Sequence, residues 1–132
     1  MNYYIVIPAH NEDKYISLTL DSIVSQTVLP KKVIVVNDNS TDNTSIIIEN
    51  YTSKYSYIKQ TTSLSNNTLL PGCKVINAFY KGYELLDDDY DIIVGAMPGT
   101  LAFNVLRSLI LAGKPIVDIS FFEEDPRLLH RV

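Results

Sequence analysis

The chain has 132 residues, a length suited to one domain that buries about two thirds of its unfolded surface. Its apolar fraction of 46% and charged fraction of 20% are ordinary for a globular domain, and they exclude a disordered tail, a collagen-like chain and a disulfide-stapled miniprotein. Eleven Lys and Arg against fifteen Asp and Glu leave a net charge of −4, which argues against nucleic acid as a partner, because phosphate neutralisation needs a basic face.

Strand-like and helix-like segments alternate along the chain. Tyr4 to Ile7 is an apolar, β-rich run closed by Pro8, and it reads as a strand buried on both faces. Asn11, Glu12 and Asp13 supply helix-start chemistry, and Ile16, Leu20, Ile23, Val24 and Thr27 follow at helical spacing until Pro30. Lys32 to Val36 is a second buried strand. Asn37 to Asn43 is a polar turn. Ile47, Ile48, Tyr51 and Tyr55 make a second helix stripe, and Tyr57 to Thr61 suits a short third strand. Thr62 to Gly72 has no periodicity and reads as a loop. Val75, Phe79, Tyr83 and Leu86 form a third helix stripe, and Asp91 to Ala96 a fourth strand. Ala102, Val105, Leu106 and Leu109 mark a fourth helix, stopped by Gly113 and Pro115. Pro115 to Ile119 is a fifth strand, and Glu123 to Val132 suits a loop or a partial helix.

This alternation implies right-handed βαβ units in a doubly wound, three-layer α/β/α fold. The expected sheet is five-stranded and mostly parallel, in the order 3-2-1-4-5, within one α/β domain over residues 1–132. Ligands of such sheets bind beyond the carboxyl ends of the strands, near the point where the strand order reverses. The loops to consider are therefore Pro8 to Glu12, Asn37 to Asp42 and Gly95 to Thr100. The one cysteine, Cys73, permits no internal disulfide and no cysteine-built zinc cage. The start of the chain lacks a signal-peptide pattern, and no run approaches the roughly 20 apolar residues of a membrane span, so a cytoplasmic location is expected.

The first two of these loops carry a recognisable pattern. Ile5-Val6-Ile7-Pro8-Ala9-His10-Asn11-Glu12 and Val35-Val36-Asn37-Asp38-Asn39-Ser40-Thr41-Asp42-Asn43-Thr44, with Ser25-Gln26-Thr27 between them and Gly72 to Ala78 after them, resemble family 2 glycosyltransferases. These are inverting nucleotide-sugar enzymes of GT-A type, and the resemblance covers about residues 3–94. It implies a nucleotide or nucleotide-diphospho-sugar ligand of UDP or GDP type. Asp38 would accept from the base, while Pro8, Ala9, His10, Asn11 and Glu12 would hold base and ribose. Asn39 and Ser40 complete the second loop, and Lys74 would meet the pyrophosphate as a point charge. Asp38, Ser40 and Thr41 also suit a turn and helix cap with no further role, and Lys74 suits a solvated helix end. His10 is given no catalytic role.

The pattern departs from the family at the fourth strand. An Asp-x-Asp motif there would hold the Mn²⁺ or Mg²⁺ that the family uses on the diphosphate. Here Asp91-Ile92-Ile93-Val94 runs into Gly95-Ala96-Met97-Pro98-Gly99, so the ligands for that metal are missing and no metal residue is assigned. Asp87-Asp88-Asp89 and Asp89-Tyr90-Asp91 contain Asp-x-Asp but precede the strand. That puts them at the opposite sheet edge, ~15 Å from the nucleotide loops, where they suit a solvated turn.

Residues 91–126 resemble a different family. Asp91 to Gly99, Asn104-Val105-Leu106, Ala112 to Phe122 and Glu124-Asp125-Pro126 are similar to the later Rossmann half of saccharopine dehydrogenases, which bind a nicotinamide dinucleotide. The Gly-rich turn of such a site is absent, since Pro8-Ala9-His10-Asn11-Glu12 stands in its place. The chain thus reads as a glycosyltransferase-like half, 1–94, joined to a dehydrogenase-like tail, 95–132. Three functions follow as alternatives. One is a family 2-like nucleotide-sugar binder with little transferase activity, because the metal motif and acceptor region are absent. The second is an NAD(P)-binding fragment. The third is a folded chimeric domain with no small-molecule function.

Overall fold

The computed structural model describes residues 1–63, 73–87, 89–95, 107, 110–111, 113 and 115–118. Five strands form one sheet: β1 (Tyr3–Ala9), β2 (Lys32–Asn37), β3 (Ile58–Thr62), β4 (Ile92–Gly95) and β5 (Ile116–Asp118). Their order is β3-β2-β1-β4-β5, as the alternation of elements predicts, and every neighbouring pair is parallel. Three helices are described in full: α1 (Ile16–Val24), α2 (Thr44–Lys54) and α3 (Cys73–Tyr83). Of the expected fourth helix, Arg107, Ile110 and Leu111 are helical, and its other residues lie outside the described set. Its stop is visible: Gly113 takes φ 68° and donates its N–H to the Ile110 carbonyl, as a glycine past a helix end does.

The core lies in two layers because successive strand side chains alternate faces. On one face, Ile7, Ala9, Val33, Val35 and Ile58 meet Ile16, Leu20 and Ile23 of α1 and Ile48 of α2. On the other, Val6, Ile34, Val36 and Ile93 meet Ala78 and Phe79 of α3. The chain therefore winds one way from β1 to β3 and crosses the other face to reach β4. The order reverses between β1 and β4, and a crevice at their carboxyl ends is the expected result.

Several boundaries differ from the sequence expectation for physical reasons. Pro8 does not close β1, which continues to Ala9 with Pro8 opposite Val36. In a parallel strand the N–H and C=O of one residue point the same way. Ala9 accepts from Asp38 on the β2 side, so Pro8 faces the β4 side, where the described part of the ladder runs to Gly95 opposite Val6. The missing proline N–H therefore costs the β1–β2 ladder no bond. Asn11, Glu12 and Asp13 do not cap α1, which begins at Ile16 without a side-chain cap. The Glu12 carbonyl instead accepts from the Tyr15 and Ile16 N–H groups in a lead-in turn. The third helix ends at Tyr83, so Leu86 packs on the core from the following turn. Tyr57 stands just before β3, which runs on to Thr62.

Candidate functional site

The carboxyl ends of β1 and β2 are tied together by their two following loops. The Asp38 N–H donates to the Ala9 carbonyl at 2.8 Å, extending the β1–β2 ladder by one bond past the strands. His10 Nδ1 lies 2.6 Å from the Asp38 carbonyl oxygen. The Asn11 N–H donates to Ser40 Oγ at 3.1 Å, and Asn11 Oδ1 accepts from the Thr41 N–H at 2.8 Å. The Glu12 N–H donates to Thr44 Oγ1 at 2.8 Å, and the Asp13 N–H to Asp42 Oδ2 at 3.1 Å. Five consecutive residues of the first loop, 9–13, thus bond to the second.

Two asparagines make this meeting possible. Asn11 takes φ 53° and Asn39 φ 51°, the left-handed region that asparagine tolerates better than most residues. Within the second loop, Asn37 Oδ1 accepts from the Ser40 N–H at 3.1 Å. Asp42 Oδ1 accepts from the Thr44 N–H at 3.0 Å, one residue before the Asn43 cap position of α2. Ser40 and Thr41 therefore do not cap that helix. Desolvation pushes the Asp42 carboxyl up, but the hydrogen bonds from Thr44 and the Asp13 N–H together outweigh it and hold the group below its ordinary value.

The expected residues of the first two loops all gather at this edge. Pro8 is half-buried and Ala9 buried, whereas His10, Asn11 and Glu12 are exposed. Asp38 is buried, at 6% exposure, beside exposed Asn39 and half-buried Ser40. Lys74 stands half-buried on the first turn of α3. Because α3 returns the chain from β3 to the start of the parallel strand β4, that turn lies at the carboxyl edge too. The third expected loop, beyond Gly95, falls on residues outside the described set. Four further residues build the edge without having been given a role by sequence: Asn37 and Asp42, inside the expected second loop, Thr44, and Ser63. Thr44 is fully buried, and the Ser63 N–H donates to the Asn37 carbonyl. The signal for the first three was the density of short polar residues from Asn37 to Thr44, which identifies a turn but not its partners; Ser63 had none.

The aspartates before β4 lie at the other edge, as their position in sequence predicts. They are not simply solvated. Asp89 pairs with Lys31 and accepts from the buried Tyr4 hydroxyl at 2.6 Å. Asp87 pairs with Lys32 at 2.7 Å, and Asp91 accepts from the Asn2 N–H. Among the described residues, no group of three or more His, Cys, Asp or Glu could hold a metal ion. Asp87 and Asp89 are thus committed to lysines and a tyrosine and Asp91 to a backbone N–H, at the edge away from the two latched loops, so these carboxylates do not fit the family's divalent ion; Asp88 lies outside the described residues.

Comparison with known proteins places this geometry. Residues 4–67, which contain both latched loops, match the family model described as glycosyl transferase family 2. The probable glycosyltransferase YdaM of Bacillus subtilis is 45% identical over 58 residues, covering 42% of this chain and 14% of that protein. The poly(ribitol-phosphate) beta-glucosyltransferase of Bacillus spizizenii is 43% identical over 144 aligned positions, covering 90% of this chain and 23% of that protein. The chondroitin synthase of Pasteurella multocida is 35% identical over 89 residues, covering 65% of this chain and 9% of that protein. The chain is glycosyltransferase family 2-like, and it spans less than a quarter of the length of each of these three relatives. The dehydrogenase resemblance of residues 91–126 finds no support in these matches. An alignment over 90% of the chain necessarily includes residues past 94, so likeness to a glycosyltransferase extends into the tail. Neither the NAD(P)-binding reading nor the chimeric domain without a ligand gains support. Among the described residues, no helix is long and apolar enough to cross a membrane.

Proposed function

We propose that this chain binds a nucleotide or nucleotide-diphospho-sugar, of UDP or GDP type, across its two latched loops. The observation that carries this reading is the set of bonds from residues 9–13 to the second loop. It builds one polar rim at the carboxyl edge beside the β1/β4 reversal, within the segment that matches the family model. In this reading the Asp38 carboxylate accepts from the base. Pro8, Ala9, His10, Asn11 and Glu12 form the wall for base and ribose, with Asn39 and Ser40 opposite. Lys74 supplies a positive charge for the diphosphate. Transfer with inversion needs a carboxylate to take the proton of the acceptor hydroxyl as it attacks the sugar, and no residue here is assigned that role. With the Asp-x-Asp carboxylates committed at the far edge, we expect little transferase activity from this chain alone.

A thermal-shift panel with UDP, GDP, a UDP-sugar and NADH, each with and without Mn²⁺, tests the reading. A ligand at about 100 times its dissociation constant adds about 2.7 kcal/mol of apparent stability. For a domain of this size that raises Tm by several degrees. The expected outcome is a shift with UDP or GDP, indifferent to Mn²⁺, lost in Asp38→Ala and absent with NADH. A flat panel over a cooperative melt overturns it.

A further inference from the structure

We propose that His10 is a positioning residue whose neutral, Nδ1-protonated ring closes the two loops, so that the site loosens when the imidazole gains a second proton. His10 Nδ1 lies 2.6 Å from the backbone oxygen of Asp38, and a carbonyl only accepts, so Nδ1 carries the hydrogen. In a neutral ring Nε2 is then the acceptor, and it faces Asn11 Nδ2 at 3.4 Å. The other end of the same amide is also engaged: Asn11 Oδ1 accepts from the Thr41 N–H at 2.8 Å and the Thr41 hydroxyl at 3.4 Å. The links Asp38, His10, Asn11 and Thr41 form a chain of bonds across both loops, with each donor set against an acceptor.

Protonation breaks that order. A hydrogen on Nε2 would face the hydrogens of Asn11 Nδ2. Turning the amide over would satisfy His10 but set Nδ2 against the Thr41 N–H. Either way one bond is lost, and the left-handed backbone of Asn11 loses one of its restraints. Imidazole is the side chain that ordinarily changes charge between about pH 5 and 8. Among the described residues, the charged groups on the surrounding elements are Asp38 and Asp42 of the second loop, Glu12, Asp13 and Lys14 of its own loop, and Lys74 of α3.

The effect on ligand binding rests on the proposed nucleotide site, whereas the clasp itself does not, and the experiment separates the two. The ¹⁵N spectrum of the imidazole in the full chain, followed from about pH 8 to about pH 5, reports the tautomer and its titration. The Thr41 amide is followed alongside by its shift and hydrogen exchange. UDP-glucose is the binding probe, since its diphosphate is a diester that does not itself titrate in this range. The expected result is an Nδ1–H tautomer at the upper end and a Thr41 amide that loses protection with the imidazole's own midpoint. UDP-glucose affinity should fall about fivefold, the loss of one net hydrogen bond. His10→Phe, which keeps an aromatic ring, and Asn11→Gly, which keeps the left-handed backbone, should each bind weakly with a flat pH profile. An Nε2–H tautomer, or a Thr41 amide indifferent to pH in the unaltered chain, overturns the proposal without any need for a folded variant. A titrating clasp with no UDP-glucose binding at any pH upholds the clasp and overturns the nucleotide reading.

Discussion

Polar residues in this chain matter by what they face. Asn11 and Asn39 lie in left-handed backbone and serve the loop junction, where residue type and backbone shape are matched. Tyr57 is the opposite case. Its hydroxyl is buried with no hydrogen-bond partner among the described residues, and burial pushes its pKa up. An unpaired buried hydroxyl is a standing cost, so Tyr57→Phe should stabilise the fold by about 1 kcal/mol. A chemical-denaturation series checks this, and an equal or lower midpoint at constant slope would show that the hydroxyl is satisfied in solution. Tyr51 has found its partner. Its hydroxyl donates to Asp21 at 2.6 Å, which with burial pushes its pKa up to about 12 and ties α2 to α1. Its folded pKa exceeds the unfolded value near 10, so this contribution is intact below about pH 10 and fades as pH rises toward 12.

At the scale of elements, the close seat of α3 on the sheet depends on Gly82. A Cβ there would come within 2.6 Å of Val6 Cγ1 and 2.8 Å of Val36 Cγ2, both in buried side chains of central strands. Alanine would raise helix propensity by ~1 kcal/mol, whereas overpacking a fixed interface costs about 1–3 kcal/mol. We expect Gly82→Ala to lower Tm by a few degrees. A raised Tm would mean that α3 shifts freely on the sheet. This glycine was invisible in the sequence, where it reads as a weak point in an amphipathic stripe. The stripe itself was legible, because Phe79 and its neighbours recur at helical spacing whatever they pack against. Helix starts were less so. Asn11, Glu12 and Asp13 have the chemistry of caps, but their N–H groups and the Asn11 side chain are taken by the second loop and the start of α2, and α1 begins three residues after Asp13.

For the molecule as a whole, the two edges of the sheet have different work. The amino edge is fastened by charge: Lys31 to Asp89, Lys32 to Asp87, and the chain start to Asp91. The carboxyl edge is fastened by hydrogen bonds between backbone groups and short polar side chains, the Asp42 carboxylate included, rather than by ion pairs. Exposed ion pairs contribute little by themselves, but Asp89 also receives the hydroxyl of fully buried Tyr4. Asp89→Ala should therefore lower Tm clearly more than Asp87→Ala. Equal effects would show that the tyrosine contact adds nothing beyond the ion pair. The Lys31 ammonium first, and the Tyr4 hydroxyl next, hold the Asp89 carboxyl below its ordinary value. Its contribution is thus present above the usual carboxylate range and lost as pH falls through it, the direction an acid-unfolding profile should show.

The sequence by itself determined the alternation of strands and helices, the order 3-2-1-4-5, the edge on which the loops gather and the misplacement of the Asp-x-Asp triplets. All of these follow from apolar periodicity and from the handedness of parallel crossovers, which act locally or along the chain. The tertiary structure alone decided which polar groups meet: Asn11 with Thr41, Glu12 with Thr44, Asp13 with Asp42, and Tyr4 with Asp89. It also decided that Pro8 could lie inside β1 and that position 82 sits too close to Val6 and Val36 for a Cβ to enter without a shift. These pairings join residues some 30 or more positions apart, and a hydrogen bond depends on distances fixed only when the sheet has brought both ends together.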